Sequence, residues 1–167
     1  MMQKQVIKNY SSGIVRLQGN RFFWDYENEN IFQIDINDIV VIGEYTNSEG
    51  PYINDWFLIF ITKDGHWQSI PLYANNIDEL TQFLGDKFHQ DFNETCLANS
   101  TEWKSIIRYP IHLIGKTLFT LTPSSTYKEP KTFLDKVQSS VGLGNFDITQ
   151  NITLTEEVKK ELNNANM

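Results

Sequence analysis

The chain has 167 residues, 40% of them hydrophobic and 13% aromatic, with a net charge of −7 at pH 7. That length suits one globular domain, or a compact domain carrying an extension. The acidic balance argues against nucleic acid and anionic membrane as partners, since both select basic surfaces.

The charge is unevenly placed. Residues 1–100 hold 6 Lys and Arg against 14 Asp and Glu, whereas residues 101–167 hold 8 against 7. The bland reading of an acidic N-terminal part is solubility, and the sharper one is attraction to a basic partner. A single cysteine, Cys96, excludes an internal disulfide and fits a reducing, cytoplasmic location. The opening MMQKQVIKNYSSG has no apolar core of the kind a secretory signal needs, so none is expected. The longest apolar run, Trp56–Ile61, is too short to cross a bilayer, and no integral membrane segment is expected.

Short β-like runs come first: a weak one at Gln5–Asn9, then Gly13–Leu17 and Arg21–Tyr26 around the turn triplet Gln18-Gly19-Asn20. Glu27-Asn28-Glu29-Asn30 is polar and reads as a loop. Ile31–Ile36 alternates imperfectly, and Asp38–Tyr45 is rich in β-branched residues, as a buried strand should be. A turn-forming stretch, Thr46–Asn54, leads to DWFLIFITKDGHWQSIPLY, in which Asp64-Gly65 separates two apolar runs. An Asp-Gly pair in that setting signals a β-hairpin with a two-residue turn. Such a turn sets Thr62 opposite Trp67, Phe60 opposite Ser69 and Ile59 opposite Ile70. One face then carries Phe57, Ile59, Ile61, Ile70 and Leu72, and the other Trp56, Leu58, Phe60 and Trp67. Both faces are apolar, as in a sandwich or barrel wall with neighbours on each side. Pro71 cannot donate to a ladder and belongs at an edge or strand end.

Ile77, Leu80, Phe83, Leu84 and Phe88 recur at helical spacing, with Asn76 as N-cap and Asp78 and Glu79 in the first turn. Beyond residue 90, Ser100–Trp103 suits a short helix, and Ser105–Tyr109 and Lys116–Leu121 read as extended. Pro130 opens a helix with Phe133, Leu134, Val137 and Val141 on one stripe, ended by Gly142-Leu143-Gly144. Phe146–Leu154 suits a strand, and Thr155 caps a charged helix over Glu156–Leu162.

About seven short strands followed by one amphipathic helix is the element order of pleckstrin-homology-like domains. The stretch GIVRLQGNRFFWDYENENIFQIDINDIVVIGEY resembles the start of their GRAM-type subclass, with WFLIFITKDGHWQSIPL and IDELTQFLGDKF as the last strands and closing helix. The resemblance covers residues 11–89. It implies an α+β fold: a seven-stranded antiparallel sandwich or barrel closed by a helix over residues 1–90, with residues 91–167 a mixed C-terminal extension packed on it. Phosphoinositide-binding members use a basic first hairpin, but here Arg16 and Arg21 are followed by Asp25, Glu27 and Glu29, a poor phosphate cradle, so lipid binding is not expected.

Motifs for chemistry are sparse. Gly115-Lys116-Thr117 ends like a phosphate-binding loop, but the motif needs Gly where this chain has Pro110, and the intervening IHLI is apolar. His89 and Asp91 could supply two metal ligands without a second pair. His66 reads as a solvated strand-end residue, and His112, in YPIHLIG, as a partly buried side chain with a partner. Cys96 lacks a nucleophile's local setting and reads as a small buried residue, and the closeness of Asp35 and Asp38 is unsurprising among 21 acids. No cofactor and no metal site is expected, and the chain reads as non-enzymatic, with His89, Asp91 and Cys96 the candidates if it were a small enzyme.

The candidate binding surface is acidic and aromatic: Asp25, Tyr26, Glu27 and Glu29 on one loop, and Glu44, Tyr45, Glu49 and Tyr52 on the next. Tyrosine supplies contact area and carboxylates steer a basic partner. In size, charge and style the chain resembles bacterial immunity proteins, which neutralise toxins. The resemblance implies a basic protein partner such as a toxin, and the other reading is a pleckstrin-like adaptor for a lipid headgroup or peptide.

Overall fold

The computed structural model describes residues 12–47, 56–97, 103–123 and 150–167. The sequence alternates short β-branched and aromatic runs with tight turns, and the first three runs pair in order. Strands β1 (Ile14–Gln18), β2 (Arg21–Tyr26) and β3 (Glu29–Asp35) form an antiparallel three-stranded sheet. Asp35 then accepts a hydrogen bond from Asn37 N–H and opens a 3-10 turn at Ile36–Asp38. From there β4 (Ile39–Thr46) starts a second antiparallel sheet with β5 (Trp56–Thr62), β6 (Trp67–Pro71) and β7 (Lys104–Tyr109), in the order β6-β5-β4-β7. Helix α1 (Ile77–Phe88) joins β6 to β7. Strands β8 (Phe119–Pro123) and β9 (Gln150–Leu154) make a third, two-stranded sheet, and α2 (Glu156–Ala165) ends the chain.

The fold is therefore α+β, with antiparallel sheets and two helices among the described residues. Among the described residues six strands precede α1, and the sheets do not join into a closed barrel there. Strand β7 pairs with β4, so the four-stranded sheet crosses the boundary expected at residue 90. The weak run at Gln5–Asn9, the helices expected from Ser100 and from Pro130, and Glu49 and Tyr52 fall outside the described residues or have their starts there.

All eight residues of β4 are buried, because the sheet is covered on both faces. Side chains of directly opposed residues share a face. Leu58, Phe60 and Ile70 look toward the first sheet, where the Phe60 and Phe22 rings lie 4.8 Å apart. Tyr45, Phe57 and Trp67 look the other way. Tyr45 stacks on Phe57 at 4.8 Å, and Phe119 meets both Tyr45 (6.5 Å) and Trp67 (5.5 Å). Val158 and Leu162 of α2 are buried with this layer. Burying each such aromatic or aliphatic side chain stabilises by roughly 1.5–3 kcal/mol, so this two-faced sheet dominates the core.

The β5–β6 register differs by one residue from the expected pairing. Ile61 faces Trp67, Ile59 faces Ser69 and Leu58 faces Ile70. The turn is longer than two residues: Thr62 N–H donates to the His66 carbonyl (3.0 Å), leaving Lys63-Asp64-Gly65 as a three-residue loop. Gly65 takes φ +80°, as the last position of such a loop requires, and the Asp64 carboxylate accepts from Thr62 Oγ1 (2.6 Å) and His66 N–H (3.1 Å). A one-residue slip moves side chains between faces. Trp67 accordingly joins Ile61 rather than Phe60, and Ile70 joins Leu58. Pro71 ends β6, an outer strand of its sheet, where its missing N–H is harmless.

Helix α1 buries Leu80, Thr81 and Leu84, and its last aromatic, Phe88, lies 4.4 Å from the Tyr109 ring of β7. Asn76 sits at the N-cap in a left-handed conformation, but its side chain donates to Val15 carbonyl (3.1 Å) instead of capping the helix. Thr155 likewise precedes α2, yet its hydroxyl donates to Thr117 carbonyl (2.9 Å). Both residues stand at the expected positions and tie the helix starts to β1 and to the segment before β8.

Candidate protein-binding surface

Both turns of the first sheet are two residues long, and the second is acidic. Tyr26 pairs with Glu29, so Glu27 and Asn28 alone form the β2–β3 turn, where a loose four-residue loop was expected. Both take positive φ, +50° and +68°, the signature of a type I′ turn. Asn accepts that conformation readily, whereas for Glu it is uncommon and strained by about 1 kcal/mol. Glu27, Asn28 and Glu29 are exposed, and among the described residues neither Glu27 nor Glu29 has an ion-pair partner.

Asp25, beside them, is engaged. Arg16 contacts it through Nε and donates from Nη2 at 3.1 Å, and Asn30 Nδ2 donates at 3.0 Å. These bonds, Arg16's foremost, hold the Asp25 carboxyl below the ordinary carboxylate range. Tyr26 is half-buried, its ring 5.7 Å from Trp24. The first candidate loop thus keeps two free carboxylates on the tip's two-residue turn and its flank, with Asp25 and Tyr26 as its base.

The described half of the second candidate surface, Glu44 and Tyr45, is not on a loop. Glu44 and Tyr45 belong to β4, and both are 0% exposed. Tyr45 is a core aromatic, and Glu44 is the centre of a buried knot. Its Oε1 accepts from Trp56 Nε1 (2.7 Å) and Leu97 N–H (2.8 Å), and its Oε2 from Arg108 Nη1 (2.7 Å); Cys96 N–H reaches both oxygens at 3.1 Å. Arg108 Nη2 in turn donates to the carbonyls of Asp91 (3.0 Å) and Glu94 (2.7 Å). Charge on both partners is matched by hydrogen bonds on nearly every available atom, which is what a buried pair needs. The knot fastens Asp91–Leu97 across the sheet. A partial signal is present in the sequence: Arg108 is the single charge of SIIRY, and Glu44 follows the apolar run IVVIG.

A concave site lies at the opposite end of β3, about 20 Å from the tip by strand length. A cavity of about 480 Å³ is lined by Gln33 and Asp35 of β3, Asp38, and Lys63, Asp64 and His66 of the β5–β6 turn. Asp35 is held below the ordinary carboxylate range by Asn37 N–H before all else, and Asp64 by the Thr62 hydroxyl. Asp35 and Asp38, close in sequence, are here brought to one cavity with Asp64.

The remaining chemistry-bearing residues lie apart from the acidic tip. His89 caps the C-terminus of α1 at φ +54°, Gln90 Nε2 donates to Arg108 carbonyl, and Asp91 accepts from Asn93 N–H (2.7 Å). His66 is exposed beside the turn, as expected. His112 is exposed rather than partly buried, its Nε2 2.9 Å from Glu161 of α2, and Cys96 is exposed rather than buried. In the Gly115-Lys116 segment the amides donate to the carbonyls of Ile107 (3.0 Å) and Leu113 (3.1 Å), so they do not converge on a phosphate. Among the described residues no group of three or more His, Cys, Asp or Glu is arranged to hold a metal, and no helix is long and apolar enough to cross a membrane. No protein-family model, curated protein or solved structure matches the chain.

Proposed function

We propose that the chain is a non-enzymatic protein-binding domain that presents an acidic hairpin tip to a basic partner, in the style of immunity proteins that neutralise toxins. The observation that carries this reading is Glu27. It occupies a left-handed turn position that folding alone would give to Asn or Gly, it is exposed, and it has no ion-pair partner among the described residues. Strain held at an exposed carboxylate points to a task for that carboxylate. Glu29 stands beside it, and Tyr26 adds aromatic area at the base.

The pleckstrin-like kinship belongs to the same proposal. The six described strands followed by α1 support that element order in part; the expected seventh strand lies outside the described residues, and the return of β7 to β4 lies outside the order. A lipid-binding role is disfavoured by the first hairpin: Arg16 is paired with Asp25, and Arg21 with Asp35 at 3.5 Å, which leaves little free charge for a phosphate. A cytoplasmic location is part of the reading.

Affinity capture with the tagged chain, at low and high salt, tests it. The expected result is a stoichiometric basic protein that is released by salt and lost by a Glu27→Asn, Glu29→Gln double variant. Retention of every partner by that variant would remove the acidic tip from the account.

A further inference from the structure

The two sheets leave a seam. Ile36 N–H donates to Asn20 carbonyl at 2.8 Å, which sets the hydrogen-bonding phase of the β2–β3 ladder. Alternation then turns the backbone groups of Ile34 and Phe32 toward β2, and those of Gln33 and the N–H of Asp35 away from it. Strand β3 is the outer strand of its sheet, so among the described residues no strand receives these groups. Gln33 and Asp35 also line the 480 Å³ cavity, whose far wall is the β5–β6 turn.

We propose that this seam is a second binding surface, which takes an extended, lysine- or arginine-bearing segment of a partner protein as an added strand on the β3 edge at Gln33–Asp35. Strand addition supplies main-chain hydrogen bonds, and the walls of the groove select alternate side chains. Charge identifies those side chains. Asp35, Asp38 and Asp64 line the cavity; Lys63 lies 3.7 Å from Asp38 and Arg21 lies 3.5 Å from Asp35, so the carboxylates outnumber the cations by one. Asp35 and Asp64 stay ionised at neutral pH. Because side chains of a strand repeat every second residue on one face, the segment should carry its basic residues at alternating positions. The surface lies at the far end of β3 from the Glu27 tip and does not depend on it.

A random nine-residue peptide library, displayed on phage and selected against the full chain, tests the proposal. Synthetic versions of the enriched peptides are then titrated against wild type and three variants. Gln33→Pro removes an outward-facing N–H together with the Gln33 side chain; an edge strand tolerates the lost N–H, and the thermal midpoint checks that the variant folds. Asp38→Asn removes one wall charge. Glu27→Asn alters the other surface. The expected result is enrichment of peptides with alternating Lys or Arg, binding at least tenfold weaker to Gln33→Pro, severalfold weaker to Asp38→Asn and unchanged with Glu27→Asn. Failure to enrich any peptide, or equal binding by a folded Gln33→Pro variant, would overturn the seam. Loss of binding in Glu27→Asn alone would place the peptide at the tip and overturn it equally.

Discussion

Arg108 Nη1 lies 2.7 Å from Glu44 Oε2, and the two side chains are only 6% and 0% exposed. This pair joins the two edges of a topological detour. The chain leaves the four-stranded sheet after β6, forms α1, crosses over through Asp91–Leu97 and returns as β7. Glu44 on β4 and Arg108 on β7 are where that return is locked.

Truncating either partner leaves the other charged and buried. Glu44→Ala and Arg108→Ala are each expected to destabilise by about 3–5 kcal/mol. In many buried pairs, replacing both partners by apolar residues is neutral, but not here. A Glu44→Leu, Arg108→Met double variant leaves Trp56 Nε1 and the Cys96 and Leu97 amides without their acceptor, and should remain at least about 1–3 kcal/mol less stable than wild type. Urea denaturation of the three variants checks both expectations, and a double variant as stable as wild type would show that the amides find other partners.

Acid should weaken the first sheet and the β5–β6 turn. Asp25, Asp35 and Asp64 are all held below the ordinary carboxylate range in the folded chain, by Arg16, Asn37 N–H and Thr62 Oγ1 respectively. Their folded values lie below their unfolded ones, so the unfolded state binds more protons as pH falls through this window. The stabilisation is complete above the unfolded values and is lost toward the folded ones. The thermal midpoint should therefore fall between about pH 5 and pH 2. Asp25→Asn should flatten that limb, and a limb of unchanged steepness would mean that other carboxylates set the acid response.

The β5–β6 turn offers a third check. Gly65 holds φ +80° with open space where a Cβ would stand, so Gly65→Ala meets conformational strain and no clash. A loss of about 1 kcal/mol is expected from thermal or urea unfolding. A neutral result would mean that the loop relaxes to another turn.

The fold class was legible because apolar alternation and turn residues are local signals. Trp56–Ile61 and Trp67–Pro71 are strands on their composition alone. Their register was not, because Asp64-Gly65 fits both a two-residue and a three-residue loop, and the choice rests on Thr62 pairing with His66. The acidic tip was half legible. Asp25–Glu29 read as one acidic loop, but the sequence does not say that Asp25 is paired with Arg16, a contact between strands set by the register Ile14–Asp25. Glu44 was placed on a surface because acids usually are exposed. Its partner stands 64 positions away. No local pattern joins Glu44 to Arg108, and only the return of β7 to β4 does.

Glu27 sets stability and binding against each other. Asn fits its left-handed turn position better, so Glu27→Asn should raise stability by about 0.5–1 kcal/mol, or about 2–4 °C per kcal/mol in a chain of this size. The same change removes a carboxylate from the tip. Measuring the thermal midpoint of Glu27→Asn together with its affinity for the basic protein captured by the wild-type chain tests the account most directly. The account predicts a higher midpoint and an affinity at least fivefold weaker. A higher midpoint with unchanged affinity would contradict it, leaving Glu27 as a strained turn residue with no part in binding.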